Sequence, residues 1–161
     1  MKTNTIVALC TALLLSAASF VSCAGTPPVQ EVAPELTTFE GREWILMELR
    51  RPAETVRLDR SALAQFGMED VYTVNFEDGR ISGMGAPNRF FGPYTVGEDN
   101  NLSIGLLAST LMMALFEPEE LREHEYFAYL SNVGRWYIRE GRLELYSYGE
   151  SGETVLVFIP K

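Results

Sequence analysis

Few side chains in this sequence could carry out a reaction. His124 is the only histidine, and its neighbours are mostly acidic. A histidine among carboxylates is a candidate for acid–base chemistry or metal binding. One histidine without a neighbouring cysteine does not make a typical zinc site, however, and the spacing of the surrounding glutamates matches no calcium loop. We therefore predict no catalytic residue, no metal site and no cofactor-binding residue.

Two further motifs also favour architecture over chemistry. Residues 83–88 superficially look like a dinucleotide-binding loop, but the third glycine is absent and no helix or parallel strand unit follows. The serines are scattered, and none lies in a Gly-x-Ser-x-Gly elbow. Residues 81–94 hold three glycines, two prolines and an asparagine among large apolar residues. Such a mixture predicts sharp backbone turns and no enzymatic activity.

The N-terminus has the layout of a secretory signal. Lys2 supplies a positive charge, and residues 6–20 form an almost uninterrupted apolar run that is short for a membrane span. The run ends in Val21-Ser22-Cys23-Ala24, which resembles the lipobox of bacterial lipoproteins, although Phe20 stands where leucine is preferred. We therefore expect residues 1–22 to be a signal peptide and Cys23 to be the lipid attachment site. The alternative is ordinary cleavage, which would leave a secreted protein without an anchor.

Cysteine usage agrees with lipid attachment. Cys10 lies in the run that cleavage would remove, so Cys23 would be alone in the mature chain. Residues 23–38 contain three prolines and few large apolar groups, which predicts a flexible tether. Ala24 is not the aspartate that retains many enteric lipoproteins at the inner membrane. We expect a protein of the bacterial cell envelope, anchored by its acyl chains to the outer membrane and facing the periplasm or the cell surface.

The charge balance argues against nucleic acid as a partner. The chain has 22 acidic and 13 basic residues and a formal net charge of −9. Binding to phosphate backbones needs a basic face, and an acidic chain has the opposite bias.

From residue 39 to residue 161, short apolar stretches alternate with turn signals, which indicates one domain. The predicted strands cover residues 44–49, 55–58, 71–76, a stretch beginning at 81, 89–96 with a break at 92–93, 102–104, 135–139, 142–146 and 154–159. Asp78-Gly79 is a strong hairpin signal. Short, evenly spaced strands indicate an α+β fold in which an antiparallel β meander or a partly closed barrel packs against one α-helix.

The helix is predicted over residues 116–132, with three to four turns. Pro118 lies where a first helical turn tolerates proline, and acidic residues gather at the N-terminal end. Phe127 and Leu130 are expected to pack on the sheet. Five glutamates are expected to be a solvated helix start: Glu117, Glu119, Glu120, Glu123 and Glu125.

For two sets of apolar residues, the sequence allows either a buried or an exposed position. Met112 and Met113, beside Leu106, Leu107 and Leu111, are expected in the core, with a promiscuous groove as the alternative. Six aromatic residues near the helix and the last hairpin could form a platform for a glycan or a partner strand, but half-buried sheet positions are favoured. They are Tyr126, Tyr129, Trp136, Tyr137, Tyr146 and Tyr148.

Several segments match a known family in order and spacing. They are residues 44–49, 85–94, 109–114, 125–127 with Leu130, 141–145 and 155–158. Together they resemble the META domain, the family of HslJ-like heat-inducible envelope lipoproteins, over nearly all of residues 40–160. The resemblance implies an α+β domain with no recognised enzymatic activity or cofactor. Many relatives carry cysteines where this chain has Pro87 and Ala114, so we expect no role that requires a paired thiol.

Three functions follow as expectations. The first is a membrane-anchored, non-enzymatic envelope lipoprotein that binds another envelope protein or acts in the stress response, and it predicts an exposed apolar patch or a free strand edge. The alternative is a ligand-binding module for a cell-wall fragment or small hydrophobic compound, which needs a concave aromatic-lined pocket. The third, an envelope hydrolase, needs titratable groups that converge in a cleft.

Overall fold

The computed structural model describes residues 38–114 and 116–161. The predicted signal peptide, Cys23 and all of the predicted tether except Thr38 lie outside the described residues. In the described part, neither helix has the length and apolar character needed to cross a membrane.

The described part contains ten strands and two helices. In chain order they are β1 (Glu43–Arg50), β2 (Thr55–Arg57), α1 (Arg60–Gln65), β3 (Thr73–Glu77), β4 (Arg80–Met84), β5 (Arg89–Val96), β6 (Leu102–Ile104), β7 (Ala108–Ser109), α2 (Glu123–Ser131), β8 (Val133–Arg139), β9 (Arg142–Gly149) and β10 (Gly152–Pro160).

All paired strands run antiparallel, in the order β6, β5, β4, β3, β1, β10, β9, β8, with β2 beside β1 and β7 beside β5. The two ends of this order approach each other, because Asn101 bridges to Arg135 and the backbone N–H of Trp136 donates to the carbonyl of Asn100 at 3.0 Å. The sheet is therefore a nearly closed barrel with one unsealed seam. The predicted α+β class and partly closed barrel are confirmed.

Alternating side chains of the strands fill the interior. Trp44, Phe76 and Phe158 are fully buried, and the indole Nε1–H of Trp44 donates to the carbonyl of Phe39 at 2.7 Å. The Phe39 ring lies 4.5 Å from the ring of Trp136. Burial of large aromatic groups is the main favourable term of such a core.

Helix α2 closes one side of the core, but it is shorter than predicted. Residues 116–122 are not helical, and the helix begins only at Glu123. Side chains cap the start, because the Glu125 carboxylate accepts the N–H of Arg122 and the Glu117 carboxylate accepts the N–H of Glu123. The preceding Leu121 is fully buried instead, and its carbonyl accepts the hydroxyl of Tyr72.

Two smaller differences have local causes. The short helix α1 was not predicted, and the Asp59 carboxylate caps it by accepting the N–H groups of Ser61 and Ala62. Strand β5 continues through the predicted break at Gly92-Pro93. Pro93 is tolerated because it lies where pairing passes from β6 to β7, and its carbonyl accepts the N–H of Gly105 at 2.8 Å.

An ion network covers the outer face of β1 and β9. Arg50 bonds Glu48 at 2.6 Å and Glu144 at 2.9 Å, while Arg57 bonds Glu48 at 3.0 Å and Arg139 bonds Glu144 at 2.9 Å. Burial acts to raise the pKa of Glu48, but the hydrogen bonds from Arg50 and Arg57 outweigh it and hold the pKa below 4.5.

This network predicts acid sensitivity. A carboxyl group with a lowered pKa stabilises the fold above its unfolded pKa, and the contribution disappears as pH falls through the folded pKa. The difference in unfolding free energy between the native protein and Glu48→Gln should therefore be larger at about pH 7 than at about pH 3. Urea unfolding followed by tryptophan fluorescence measures it. Glu54→Gln is the control, because Glu54 is exposed and its ion pair with Arg51 is longer, at 3.3 Å. An equal pH dependence in both variants would contradict the prediction.

Candidate functional site

The loop between β4 and β5 is organised by the side chain of Asn88, which is 6% exposed. Its Oδ1 accepts the N–H of Met112 at 2.6 Å and the hydroxyl of Thr110 at 2.8 Å. Its Nδ2 donates to the carbonyl of Met112 at 3.2 Å and to Glu123 Oε2 at 2.6 Å. One asparagine thus ties three distant parts of the chain together. The Ala86–Pro87 peptide bond before it is cis.

Glu123 holds the same loop from the helix side. Its Oε1 accepts the backbone N–H groups of Ala86 and Asn88, both at 2.6 Å. The approach is so close that a Cβ at position 85 would lie 2.5 Å from Oε1, which explains Gly85. The prediction that Glu123 belongs to a solvated helix start is therefore wrong, because its carboxylate is half-buried and satisfies backbone donors.

The chain from Leu106 to Phe116 exposes a run of large apolar side chains, which we call the apolar segment. Leu106 is 91% exposed, Leu111 96%, Met112 61% and Met113 89%. Leu107 is half-buried and packs against the core, while Leu115 lies outside the described residues. The prediction that Met112 and Met113 are core residues is wrong, because both side chains are exposed.

The physical reason lies in the backbone. The N–H and the carbonyl of Met112 are both turned to Asn88, and the N–H of Thr110 donates to the carbonyl of Arg89 at 3.0 Å. These bonds hold the backbone against the outside of the barrel, where no further layer covers the side chains in the described part of the chain. The apolar segment has a defined position and an exposed apolar surface.

A second feature is an open cleft of about 520 Å³ on the outer face of β1, β3, β4 and β5. Strand register places two rows of side chains along it. The first row crosses the four strands as Glu43, Asn75, Ser82 and Phe91. The second row comprises Ile45, Thr73, Met84 and Arg89, of which all but Ile45 line the cleft.

Charges at the rim of the cleft are paired. Lys161 Nζ lies 3.0 Å from Glu43 Oε1 and 3.0 Å from Asp70 Oδ1. The two acidic side chains are 46% and 65% exposed. A general acid of a hydrolase usually needs a carboxyl group in an apolar setting. Glu43 and Asp70 instead share one ammonium group in contact with solvent.

The other candidate functional residues do not line the cleft. His124 is exposed on α2. Among residues 38–114 and 116–161, no group of three histidine, cysteine or acidic side chains is placed to hold a metal ion. Cys23 lies outside the described residues.

The six aromatic residues near the last hairpin do not form one platform. Tyr126 is fully buried, and Trp136 is half-buried against Phe39. Tyr137 and Tyr146 pack edge to face with ring centroids 5.3 Å apart, and Arg139 lies 4.6 Å from the ring of Tyr137. Trp136, Tyr137 and Tyr146 occupy the half-buried sheet positions that the sequence favoured, whereas Tyr126 and Tyr129 lie on α2 and Tyr148 is exposed.

These features define a class of small α+β domains in which ten antiparallel strands form a nearly closed barrel and α2 covers one side. The model of the META domain family matches residues 35–161. The chain belongs to the META domain family.

Solved structures with the same fold are distant in sequence. The chain is similar to a protein from Burkholderia xenovorans solved by NMR, with 19% identity, a TM-score of 0.60, and coverage of 84% of this chain and 97% of the other. It is also similar to a DUF4847 family protein from Bacteroides vulgatus, with 15% identity, a TM-score of 0.52, and coverage of 75% and 93%. No curated protein matches the chain. At these identities the similarities support the fold alone.

Proposed function

We propose that the protein is a non-enzymatic lipoprotein of the bacterial envelope that binds another envelope protein through the apolar segment. The observation that carries this proposal is the exposure of Leu106, Leu111 and Met113, each at least 89% accessible to solvent. Several large apolar side chains exposed within one segment are typical of interaction sites.

The position of the apolar segment supports binding. Asn88 fixes the backbone at Met112 from both its N–H and its carbonyl, so little conformational freedom of the backbone remains to be lost on association. The exposed methionines are flexible and polarisable, which suits them to the irregular surface of a protein partner. An acidic chain with a net charge of −9 is poorly suited to an anionic lipid surface, so we favour a protein as the occupant.

The proposed anchor would act together with this surface. Acyl chains on Cys23 would confine the domain to a membrane, and the Pro-rich residues 23–38 would give it reach. Confinement raises the effective concentration of two membrane-bound partners. The sequence around Cys23 favours the outer membrane, and the resemblance to heat-inducible envelope lipoproteins favours a role under envelope stress.

Site-specific photo-crosslinking in intact cells tests the proposal. A photoreactive amino acid at position 113 is expected to give one discrete adduct with an envelope protein, identified by mass spectrometry. The same amino acid at position 148 is the control, because Tyr148 is 47% exposed but lies on β9 outside the apolar segment. Cys23→Ala is expected to reduce the adduct at position 113 at least about fivefold, because the effective concentration falls.

The outcome can contradict the proposal clearly. Equal yields of adduct from positions 113 and 148 would indicate random collision. Adducts with lipid alone would show that the apolar segment contacts a membrane and not a protein. In addition, Leu111→Ser should weaken the adduct while changing the free energy of unfolding by no more than about 0.5 kcal/mol, because the side chain is 96% exposed.

A further inference from the structure

The outer cleft has a row of polar groups that ends at an aromatic ring. Glu43, Asn75 and Ser82 are cross-strand neighbours, and Phe91 follows Ser82 on β5. A carboxylate, an amide and a hydroxyl group therefore lie in line along the floor, about 5 Å apart from strand to strand. This arrangement is concave, polar along its length and aromatic at one end.

The amide of Asn75 lacks a partner in the described residues. Its Oδ1 is shielded from solvent, yet no hydrogen-bond donor reaches it. A buried oxygen without a donor is costly, and most such groups are satisfied by protein, water or a ligand. Asn75 as a whole is only half-buried and lines the cleft, so a rotation of its side chain would bring the amide to a hydroxyl group that enters the cleft.

The ring of Phe91 separates two hollows. Arg80 lies 4.7 Å from the ring centroid and lines the neighbouring hollow together with Leu106 and Ala108. Phe91 also lines the cleft, and its side chain is 48% exposed. Arg80 does not line the cleft, although it shares another hollow with Asn75 and Ser82. The ring can therefore receive a ligand on the side of the cleft.

The charges of the cleft disfavour a strongly ionic ligand. Glu43 and Asp70 are balanced by Lys161 and Arg89, so the lining has no formal excess of either sign. A phosphate-rich ligand would need a basic lining. The volume of about 520 Å³ lies in the ordinary range for small-ligand sites.

We propose that this cleft binds a neutral sugar unit of a glycan. The apolar face of a pyranose ring stacks on Phe91, one of its hydroxyl groups bonds the amide of Asn75 once that side chain has turned into the cleft, and Ser82 and Glu43 bond further hydroxyl groups. The cleft lies beside the start of the apolar segment, because Phe91 pairs with Ala108, but sugar binding there does not depend on the protein partner of the proposed function.

The test is a titration of the purified, 15N-labelled full-length protein with maltose and with N,N′-diacetylchitobiose, followed by NMR. At least one disaccharide is expected to give saturable shifts in the signals of Asn75, Ser82 and Phe91. Phe91→Leu is expected to weaken binding about tenfold while the spectrum stays dispersed, because loss of the stacking ring removes a contact worth a factor of this order. Asn75→Ala, which removes the unpartnered acceptor, should weaken binding as well.

Phe66→Leu is the matched control. Phe66 is 60% exposed but lies beside Phe116 at a different hollow, so this variant should keep the native affinity. The proposal is overturned if neither disaccharide gives saturable shifts, if the shifts lie only at residues 111–113, or if both Phe91→Leu and Asn75→Ala bind as tightly as the native protein.

Discussion

Replacing Gly83 by alanine is expected to lower the free energy of unfolding by about 3 kcal/mol. A Cβ at this position would lie 2.0 Å from the carbonyl oxygen of Thr73 and 2.9 Å from the ring of Phe90. The oxygen belongs to the backbone of the paired strand β3, so it cannot turn away as a side chain would. The new methyl group must push β4 away from β3, and this breaks the middle of the sheet. Urea unfolding followed by tryptophan fluorescence measures the loss.

Gly149→Ala is the control for this experiment. Gly149 also lies in a strand, but an added Cβ there would meet nothing within 4 Å. We expect its free energy of unfolding to stay within about 0.5 kcal/mol of the native value. Equal stability of the two alanine variants would show that strands β3 and β4 are not as close as described.

Asn88→Ala is expected to cost about 3 kcal/mol of stability and to release the apolar segment. The change removes four side-chain hydrogen bonds, two of them to Met112, one to Thr110 and one to the carboxylate of Glu123. The carboxylate is half-buried and would lose a charge-assisted donor. Because the backbone of the apolar segment would lose its support, hydrogen exchange at Met112 should accelerate more than exchange at core residues.

Asn132→Ala is the control, because it shows the effect of removing an asparagine side chain that does not contact the apolar segment. Asn132 is exposed, and its side chain makes one hydrogen bond, to the carbonyl of Ala128 at 2.8 Å. We expect a loss of at most about 1 kcal/mol and unchanged exchange at Met112. If Asn88→Ala also left exchange at Met112 unchanged, the apolar segment would have to be held by other contacts, and the preorganisation argued above would be wrong.

The strands could be predicted because their signals are local. Alternation in residues 71–76 and the Asp78-Gly79 turn specify the β3–β4 hairpin without knowledge of the rest of the chain. The start of α2 could not be predicted in the same way. Favourable propensity in residues 116–122 is overridden by the burial of Leu121 against the barrel, which depends on residues far away in sequence.

The candidate site shows the same division. The glycines and prolines around Asn88 correctly indicated a sharp turn of the backbone. Nothing near Glu123 in sequence, however, indicates that its carboxylate bonds a loop 35 residues away. The prediction of a core position for Met112 and Met113 rests on their apolar, adaptable side chains and on the leucines beside them. Hydropathy reports what a side chain prefers, whereas the backbone bonds of Met112 to Asn88 decide where it lies.

The first and last strands lie side by side, and the backbone N–H of Lys161 donates to the carbonyl of Glu43 at 3.0 Å. Both ends of the described domain therefore leave the barrel at the same rim. The pairing of the strands therefore does not require the chain to begin at β1. A short linker from residue 161 to residue 39 would make the chain circular, and reopening it at the Glu140-Gly141 turn would leave every strand pairing in place.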